Sequence, residues 1–394
     1  MNSVSAIRNV AVLGATGSVG KNVLDLVSDN PDRFRASVLA AHSNVEALAA
    51  LCVRHRPDLA IVAGTQLETD LRRRLAVAGV RCDVASGEEA ICRAAESAQC
   101  DITVCAIPGL TSIDAALSAA RAGKRLLLAN NETAVIAGSL LRNASIESGA
   151  ELVPLNPAAH AVARHCGSAR ADLSQTDVRH LILPSSGGPL AGRKRADLMT
   201  ITPDDVGAMP GKPSSQRRAV DSATLMNVGL EAIAIHQLFR STPEQIQVRL
   251  TTQGLAPALL EQADGSVLSL GQHLDPRSAI ELGLDGPERS SPHPTVESDA
   301  LSALTAPDPG TFRCLALALA ALREGGDAPA LLNAANEVAV AAFLAGALPF
   351  LSIADLIEQV LMELPPQPVV DIQTLRERDR AARAAARRVL RTAC

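Results

Sequence analysis

The glycines at the first strand-to-helix junction limit most strongly how this chain can fold. Residues 8–13 (RNVAVL) form an apolar run that predicts a buried strand, and the helical pattern GKNVLDLVSDN follows from residue 20. Glycines in such a turn let backbone N–H groups and the positive end of the helix approach a pyrophosphate without interference from a Cβ. The segment therefore predicts a dinucleotide site, with a structural turn as the alternative. Its residues are Gly14, Thr16, Gly17, Ser18, Val19 and Gly20.

Strand and helix patterns alternate through the first 155 residues. Further apolar runs of strand type are RASVLAA, DLAIVAG, DITVCAI, RLLLAN and ELVPLN, and helical patterns such as ALAALCVRHR and EAICRAAES lie between them. This alternation is typical of a doubly wound parallel sheet. We therefore expect an α/β fold with a Rossmann-like, nucleotide-binding domain over residues 1–155.

The rest of the chain has a different pattern. Residues 156–285 combine apolar runs with one long helical pattern, DSATLMNVGLEAIAIHQLF, and predict a central α+β domain of catalytic type with a loop at 203–216. Residues 286–312 are rich in Pro, Ser and Gly and predict a linker. Four successive helical patterns then predict a C-terminal helical bundle over residues 313–394.

Composition excludes several classes of function. The net charge of −5 and the isoelectric point near 5.9 give no general attraction to nucleic acid or to an anionic membrane. The eight cysteines include no CxxC pair and no zinc-ligand spacing, so we expect thiols in a reducing compartment. The sequence also lacks an apolar stretch of the length that a signal peptide or a membrane span requires. We therefore expect a cytoplasmic protein that acts on a small-molecule substrate.

The residues after the second predicted strand bear on the choice of dinucleotide. An NAD site usually has Asp or Glu there, which bonds the ribose 2′-hydroxyl. In this chain the side chains of His42, Ser43 and Asn44 occupy that place and can donate hydrogen bonds to a 2′-phosphate. We therefore expect NADP (NADPH) as the cofactor, with only a slight preference over NAD because no Arg or Lys is present.

Several motifs together resemble the 1-deoxy-D-xylulose 5-phosphate reductoisomerase family. They run in order over nearly the whole chain: GATGSVG, AGKRLLLANNET, SSGGP, DSATLMNVGLE, LSALTAPDPGTFRCLALA and LLNAANEVAVAAFLAG. The resemblance implies an N-terminal NADPH domain, a central catalytic domain with a mobile loop, a helical C-terminal domain and a homodimer. It also implies a reaction in which NADPH and a divalent metal serve to rearrange and reduce a phosphorylated ketose.

The chain departs from this family pattern at the positions that hold the metal. The resemblance implies an Asp and a Glu from a P-V-D-S-E-H motif and a further Glu from an M-N-K-G-L-E motif. The corresponding residues are Asn156, Ala158 and Glu231. Because Mg²⁺ sheds water reluctantly for neutral ligands, a divalent metal is not expected and no metal ligand is assigned.

Positions that the resemblance assigns to the substrate and to the mobile loop also differ. Asn131 replaces the lysine of an L-A-N-K-E-S motif, and Val228 replaces the lysine of M-N-K-G-L-E. In the mobile loop, Met209 and Lys212 stand where the family has His and Trp. Asn131 remains a candidate substrate ligand, and its neighbours Asn130 and Glu132 are candidate cofactor residues.

The positions that hold the substrate phosphate in the family are retained. They are Ser186, Ser222 and Asn227, which we take as candidate substrate ligands, although the alternative for Ser186 is a turn that shapes the edge of a sheet. Their hydroxyl and amide groups can bind an anion by hydrogen bonds. The candidate catalytic residues, each with a structural role as the alternative, are Glu231, His160, Lys212 and Asn156.

These observations leave three hypotheses about function. The favoured one is an NAD(P)H-dependent oxidoreductase of the reductoisomerase family with a repurposed, metal-independent active site for a small carbonyl or alcohol substrate that can carry an anionic group. Hydride transfer needs positioning and one proton donor, and it needs no metal. The second is an authentic 1-deoxy-D-xylulose 5-phosphate reductoisomerase of isoprenoid biosynthesis. The third is a catalytically inactive, nucleotide-binding homologue that acts as a scaffold or sensor.

Overall fold

The chain forms two compact units. The computed structural model describes residues 6–166, 171–207, 213–252, 256–271, 276–286, 295–296 and 303–393. Unit 1 comprises residues 1–133, 139–171 and 274–290, and unit 2 comprises residues 134–138, 172–273 and 291–394. The chain therefore returns to the first unit after about half of the second. The domain boundaries expected at residues 155, 285 and 312 stay predictions.

Unit 1 is built on a parallel sheet of seven strands in the order β4-β3-β2-β1-β5-β6-β7. The strands are β1 Arg8–Leu13, β2 Phe34–Ala40, β3 Leu59–Val62, β4 Asp83–Ser86, β5 Ile102–Cys105, β6 Arg125–Leu128 and β7 Glu151–Pro154. The helices that connect and follow them are α1 Ser18–Asp29, α2 Val45–His55, α3 Thr65–Val77, α4 Glu88–Glu96, α5 Thr111–Arg121, α6 Asn131–Ser148 and α7 Pro157–Cys166.

The order of the strands reverses beside β1. The chain proceeds outward from β1 to β4, returns to the other side at β5, and continues outward to β7. The register places the last residues of four neighbouring strands side by side, because Leu13 pairs with Cys105, Cys105 with Leu128 and Leu128 with Pro154. In open α/β sheets, ligands bind outside the carboxyl ends of the strands at such a reversal. The loops that follow these residues therefore form the candidate binding edge.

A later segment completes the packing of unit 1. Helix α10, Pro276–Asp285, forms ion pairs through Arg277 with Asp29 and through Asp285 with Arg33. A Cβ on Gly283 would lie 3.2 Å from side-chain atoms of Leu127 and Val153, so this helix packs directly on β6 and β7. The absence of a Cβ at Gly283 allows the close approach.

Unit 2 contains a mixed sheet of four strands in the order β11-β10-β8-β9. Strands β8 and β9 are parallel, and the other two pairs are antiparallel. The strands are β8 Val178–Ser185, β9 Ile246–Leu250, β10 Ala258–Gln262 and β11 Val267–Leu270. The helices are α8 Pro213–Ala223, α9 Met226–Phe239, α11 Arg313–Glu324, α12 Ala328–Leu344, α13 Ser352–Glu363 and α14 Ile372–Ala393.

The long helix predicted for DSATLMNVGLEAIAIHQLF is wrong in one respect. The segment is divided between α8 and α9, because Leu225 adopts a left-handed conformation with φ of 56°. This conformation is unfavourable for a residue with a branched side chain, so surrounding contacts must hold it. Leu225 is 1% exposed, and Gly229 on the next helix lies so close to α11 that a Cβ there would be 2.6 Å from that of Ala318. Tight packing thus holds the break in place.

The fold class expected from the sequence is confirmed. A parallel, helix-covered sheet with a Rossmann-like strand order is followed by an α+β region and by four C-terminal helices among the described residues. In that part of the chain, no helix combines the length and the apolar character that a membrane span requires.

We predict that truncating a central core residue of unit 1 destabilises the protein far more than truncating a surface residue. Leu39 on β2 is fully buried, so Leu39→Ala should lower the free energy of unfolding by about 2–5 kcal/mol. Val53 on α2 is 43% exposed, and Val53→Ala should change it by less than about 0.5 kcal/mol. Urea denaturation followed by circular dichroism measures both, and equal losses would contradict the assigned core.

Candidate cofactor and anion sites

The glycine turn in unit 1 requires glycine at two positions. Gly14 has φ of +100°, and a Cβ there would lie 2.5 Å from the carbonyl oxygen of Ala106, at the end of β5. A Cβ on Gly20 would lie 2.3 Å from the carbonyl oxygen of Gly14. The turn is therefore compressed between β1, β5 and the first turn of α1. No other residue type fits without displacing backbone.

This compression leaves the amino terminus of α1 open to a ligand. The N-cap is Gly17, which has no side chain to bond the first N–H groups of the helix. These groups have no acceptor within a helix, and together with the helix dipole they favour an anion. Gly17 and Ser18 are exposed, and Thr16 and Val19 are half-buried. The geometry is that of a pyrophosphate site.

The residues predicted to contact the ribose lie at the end of β2. His42, Ser43 and Asn44 are all exposed. The Asn44 side chain has a structural task as well, because its Oδ1 accepts a hydrogen bond from the N–H of Ala47 at 3.0 Å and caps α2. His42 and Ser43, which are exposed and do not cap the helix, are thus the better candidates for contact with a 2′-phosphate.

Two other candidate residues in unit 1 are also helix caps. Asn130 Oδ1 accepts from the N–H of Glu132 at 2.9 Å, at the start of α6. Asn156 Oδ1 accepts from the N–H groups of Ala158 at 3.1 Å and Ala159 at 3.3 Å, at the start of α7. Each follows a strand at the binding edge by two residues, on the neighbouring strands β6 and β7. Neighbouring strands lie roughly 4.8 Å apart, so the two asparagines belong to one row.

A buried hydrogen bond at the next residue holds the segment with Asn131 and Glu132. Both residues are half-buried in the first turn of α6. The next residue, Thr133, is 1% exposed, and its Oγ1 lies 2.9 Å from Oγ of the fully buried Ser112 on α5. This buried hydroxyl pair ties the start of α6 to the start of α5 and so helps to fix where Asn131 lies at the binding edge.

The structure does not favour His160 as an acid or base. The residue is 2% exposed, and its Nδ1 lies 3.0 Å from the carbonyl oxygen of Pro154, to which it donates. Burial lowers the pKa of the imidazole and outweighs the opposing effect of that carbonyl. A buried, neutral ring that joins α7 to β7 has a structural role, and a substrate cannot touch it in this conformation.

In unit 2, the loop after β8 meets the last turn of α8, and both carry candidate anion ligands. The SSGGP segment follows β8, and both of its glycines have positive φ, 83° at Gly187 and 67° at Gly188. A Cβ on Gly188 would lie 2.3 Å from the carbonyl oxygen of Ser222 and 3.1 Å from its Oγ. The backbone after Ser186 therefore lies directly against Ser222. Ser186 is exposed and Ser222 is half-buried.

The start of α9 adds the remaining candidates of unit 2. Asn227 is exposed in its first turn, and Glu231 is half-buried four residues later, on the same face of the helix. Leu225, at the N-cap, has no polar side chain to bond the first N–H groups. An anion beside Ser222 and Asn227 is thus favoured by the amino end of a helix of 14 residues. Lys212 and Met209 lie outside the described residues, so their roles stay predictions.

The residues at the family's metal positions do not supply a set of carboxylates. Ala158 is a buried methyl group, and the Oδ1 of Asn156 is engaged in capping α7. Among the described residues, no group of three His, Cys, Asp or Glu side chains lies close enough together to hold a metal ion. These two positions, 156 and 158, supply none of the carboxylate oxygens that a divalent metal prefers, and we assign no chemical step to a metal.

The reversed strand order and the compressed glycine turn define a dinucleotide-binding enzyme of the Rossmann type. Three family models match the chain: 1-deoxy-D-xylulose 5-phosphate reductoisomerase over residues 10–138, the C-terminal domain of that enzyme over residues 152–239, and a further DXP reductoisomerase C-terminal domain over residues 272–385. The chain belongs to the 1-deoxy-D-xylulose 5-phosphate reductoisomerase family. It is therefore an NADP-dependent oxidoreductase of the reductoisomerase type.

Curated reductoisomerases and solved reductoisomerase structures match this chain over nearly its full length. The reductoisomerase of Xanthomonas campestris pv. campestris strain B100 is 44% identical over 400 residues, and that of Dechloromonas aromatica is 40% identical over 392 residues, each match covering 98% of both chains. The Zymomonas mobilis reductoisomerase, solved in complex with NADPH, is 34% identical with a TM-score of 0.84 and covers 98% of this chain and 99% of its own. A reductoisomerase solved with NADPH, fosmidomycin and magnesium is 30% identical with a TM-score of 0.82, and the match covers 98% of both chains.

These matches correct two expectations. The expectation that a divalent metal is not a cofactor is wrong, because solved members of this family contain magnesium. The favoured hypothesis of a repurposed active site for another carbonyl substrate is not supported either. The matches support the second hypothesis, an authentic reductoisomerase, better.

The glycine turn gives a direct prediction about cofactor binding. Gly20→Ala places a Cβ against the backbone of Gly14 and Ala15, so it should displace the first turn of α1 and weaken NADPH binding by at least about tenfold. Gly64→Ala is the matched control, because a Cβ there meets no atom within 4 Å and lies at another strand-to-helix turn of the same unit. Titration of NADPH by its own fluorescence measures both. Equal affinities would reduce the turn to a structural feature.

Burial of His160 gives a prediction about pH. Since its folded pKa lies below the ordinary value of 6.5, the unfolded chain binds a proton that the folded chain does not as the pH falls below that value. The folded state therefore loses stability toward acid. The free energy of unfolding of wild type minus that of His160→Gln should decrease as the pH is lowered from about 7.5 to about 5.5. The free energy of unfolding of the exposed control, His42→Gln, should change with pH as that of wild type does. A pH-independent difference would contradict a neutral, buried imidazole.

Proposed function

We propose that this protein is an NADPH-dependent reductoisomerase that rearranges and reduces 1-deoxy-D-xylulose 5-phosphate, a step of isoprenoid biosynthesis. The observation that carries the proposal is 44% identity to a curated reductoisomerase over 98% of both chains. The glycine turn supports it, as do Ser186, Ser222 and Asn227, which stand at the positions that the family resemblance assigns to the substrate phosphate.

NADPH binding is assigned to the carboxyl edge of the sheet in unit 1. The first turn of α1 binds the pyrophosphate through backbone N–H groups, and His42 and Ser43 contact the 2′-phosphate. Asn130 and Glu132 follow β6 at the same edge and line the cofactor. The absence of an acid at residues 41–45 removes the repulsion that an NAD site would impose on a 2′-phosphate.

Substrate binding is assigned to the loop after β8 and to the adjoining ends of α8 and α9 in unit 2. The hydroxyl groups of Ser186 and Ser222 and the amide of Asn227 donate hydrogen bonds to the phosphate, and the amino end of α9 adds a favourable field. Asn131, at the binding edge of unit 1, stays a candidate substrate ligand. Glu231, on the same face of α9 as Asn227, is the candidate residue for moving a proton.

A second function is favoured by one specific observation. Ala158 and Asn131 replace a carboxylate and a lysine of the family motifs, and neither can supply the charge that the motif residue carried. A protein with these residues and an intact glycine turn could bind NADPH and a phosphorylated ligand without turning them over. Such a homologue would act as a sensor or scaffold, and turnover decides between the two functions.

We also propose that the protein is a cytoplasmic homodimer, as the family resemblance implies. Sedimentation equilibrium tests the assembly, since a homodimer has twice the chain mass of 40.9 kDa.

Turnover with a matched pair of variants tests the proposed function. Wild type should oxidise NADPH only when both 1-deoxy-D-xylulose 5-phosphate and Mg²⁺ or Mn²⁺ are present. Asn156→Asp with Ala158→Glu adds carboxylate oxygens, the ligands these ions prefer, and should raise the rate by at least about tenfold. The control, Asn143→Asp with Ile146→Glu, adds the same two charges at exposed positions of α6 and should leave the rate unchanged.

The outcomes separate the two functions. Saturable NADPH binding without oxidation in wild type would favour the sensor or scaffold. A rate in Asn156→Asp with Ala158→Glu no higher than in the control would contradict the placement of these two residues at the motif positions.

A further inference from the structure

A buried carboxylate precedes the candidate anion ligand Ser222. Asp221 is 6% exposed in the last turn of α8. Its Oδ1 accepts a hydrogen bond of 2.8 Å from Nδ2 of Asn336, a fully buried residue on α12, and its Oδ2 forms an ion pair of 3.5 Å with Nε of Arg217. Burying a carboxylate is costly unless such partners compensate it. Asp221 is therefore held by Asn336, which is distant in sequence, and by Arg217, one turn earlier on α8.

The contacts continue from Arg217 to α12. Nη1 of Arg217 lies 3.1 Å from Oε1 of Glu337, and its Nη2 donates to Oδ1 of Asn333 at 3.4 Å. Asn333 in turn donates from Nδ2 to Oε1 of Glu337 at 3.0 Å. Both asparagines of the NAANE segment are fully buried within an otherwise apolar helix. Polar residues in that place are explained by the charges they bond.

The last helix closes the arrangement. Nη1 of Arg383, on α14, lies 2.8 Å from Oε2 of Glu337, and the same guanidinium forms a two-pronged contact with the buried Asp379 at 2.7 and 3.1 Å. Burial opposes ionisation of Glu337, but Arg217 and Arg383 outweigh it and lower its pKa overall. Charges thus alternate in sign along Asp221, Arg217, Glu337, Arg383 and Asp379, which we call the ion-pair chain.

The ion-pair chain ends beside a turn that is strained. Ser222 lies one residue from the end of α8 and three residues before Leu225, whose left-handed backbone would relax without support. Gly188 lies so close to Ser222 that a Cβ at residue 188 would be 2.3 Å from the Ser222 carbonyl oxygen. The bonds from Asn336 and Arg217 hold the preceding residue, Asp221. The position of Ser222 therefore depends on contacts with other parts of unit 2, the loop at Gly188 and helix α12.

We propose that Asn336 and Arg217 are positioning residues for Ser222. By holding and neutralising Asp221, they set the place of the Ser222 hydroxyl and keep the Asp221 carboxylate from repelling a phosphate. Helix α12 therefore contributes to phosphate affinity without contacting the ligand. This inference rests on the proposed function, because that function assigns the phosphate to Ser222.

Phosphate affinity in single variants tests the proposal. Asn336→Leu leaves Oδ1 of Asp221 without its bond, so it should weaken binding of inorganic phosphate, measured by calorimetry, at least about tenfold. Asp221→Asn keeps an acceptor oxygen for Asn336 and removes the buried charge, but its amide NH₂ cannot pair with Arg217, so it should weaken phosphate binding less than Asn336→Leu does. NADPH affinity, which belongs to unit 1, should stay unchanged in both. Arg388→Leu is the control. Arg388 lies on α14, as Arg383 does, but its ion pair with Glu363 is exposed, so this variant should bind phosphate as wild type does.

Two results would overturn the positioning role and leave the proposed function intact, and a third would remove both. Wild-type phosphate affinity in a folded Asn336→Leu protein would overturn the positioning role while leaving the function intact. If that variant does not fold, Asn336→Ser removes the same bond with a smaller change, and wild-type affinity there has the same meaning. No phosphate binding in wild type would instead remove the anion site, and with it both the function and the inference.

Discussion

The close approach of backbone at the first strand-to-helix turn is the constraint on which the rest of this structure depends. Gly14 lies against the carbonyl group of Ala106, and Gly20 lies against Gly14. The approach brings the amino end of α1 to the place where the strand order reverses between β2 and β5. Every candidate residue of unit 1 then follows a strand that ends at that edge. A Cβ at either glycine would move the helix and remove the arrangement.

Helix capping explains how the chain keeps its fold while the family motif changes around it. The family resemblance implies that Asn156 stands at the position of an aspartate, and its Oδ1 bonds two N–H groups at the start of α7. Asn and Asp cap helices about equally well, so this exchange preserves the helix while removing a charge. The same applies to Ala158, whose methyl group is simply buried in the first turn. Local structure at the binding edge therefore survives changes that alter its electrostatics.

Much of the fold could be predicted from the sequence, and the failures have physical causes. Continuous apolar runs such as RNVAVL and RLLLAN predicted their strands correctly because both faces of a parallel sheet are covered. The edge strand β4 was missed, since DVAS is short and half polar. The break at Leu225 was missed because no glycine or proline marks it. The caps and the ion-pair chain could not be predicted in full, since Asp221 and Asn336 lie 115 residues apart and meet only in the folded unit.

Transfer of hydride from NADPH to the substrate is the central claim of this account. The most direct measurement uses NADPH deuterated at C4 of the nicotinamide, incubated with the protein, 1-deoxy-D-xylulose 5-phosphate and Mg²⁺, with the product examined by mass spectrometry. The account predicts a reduced phosphorylated product that carries one deuterium and appears in step with oxidation of the nucleotide. Recovery of unchanged substrate from a protein shown to bind NADPH, or of a product without deuterium, would contradict it.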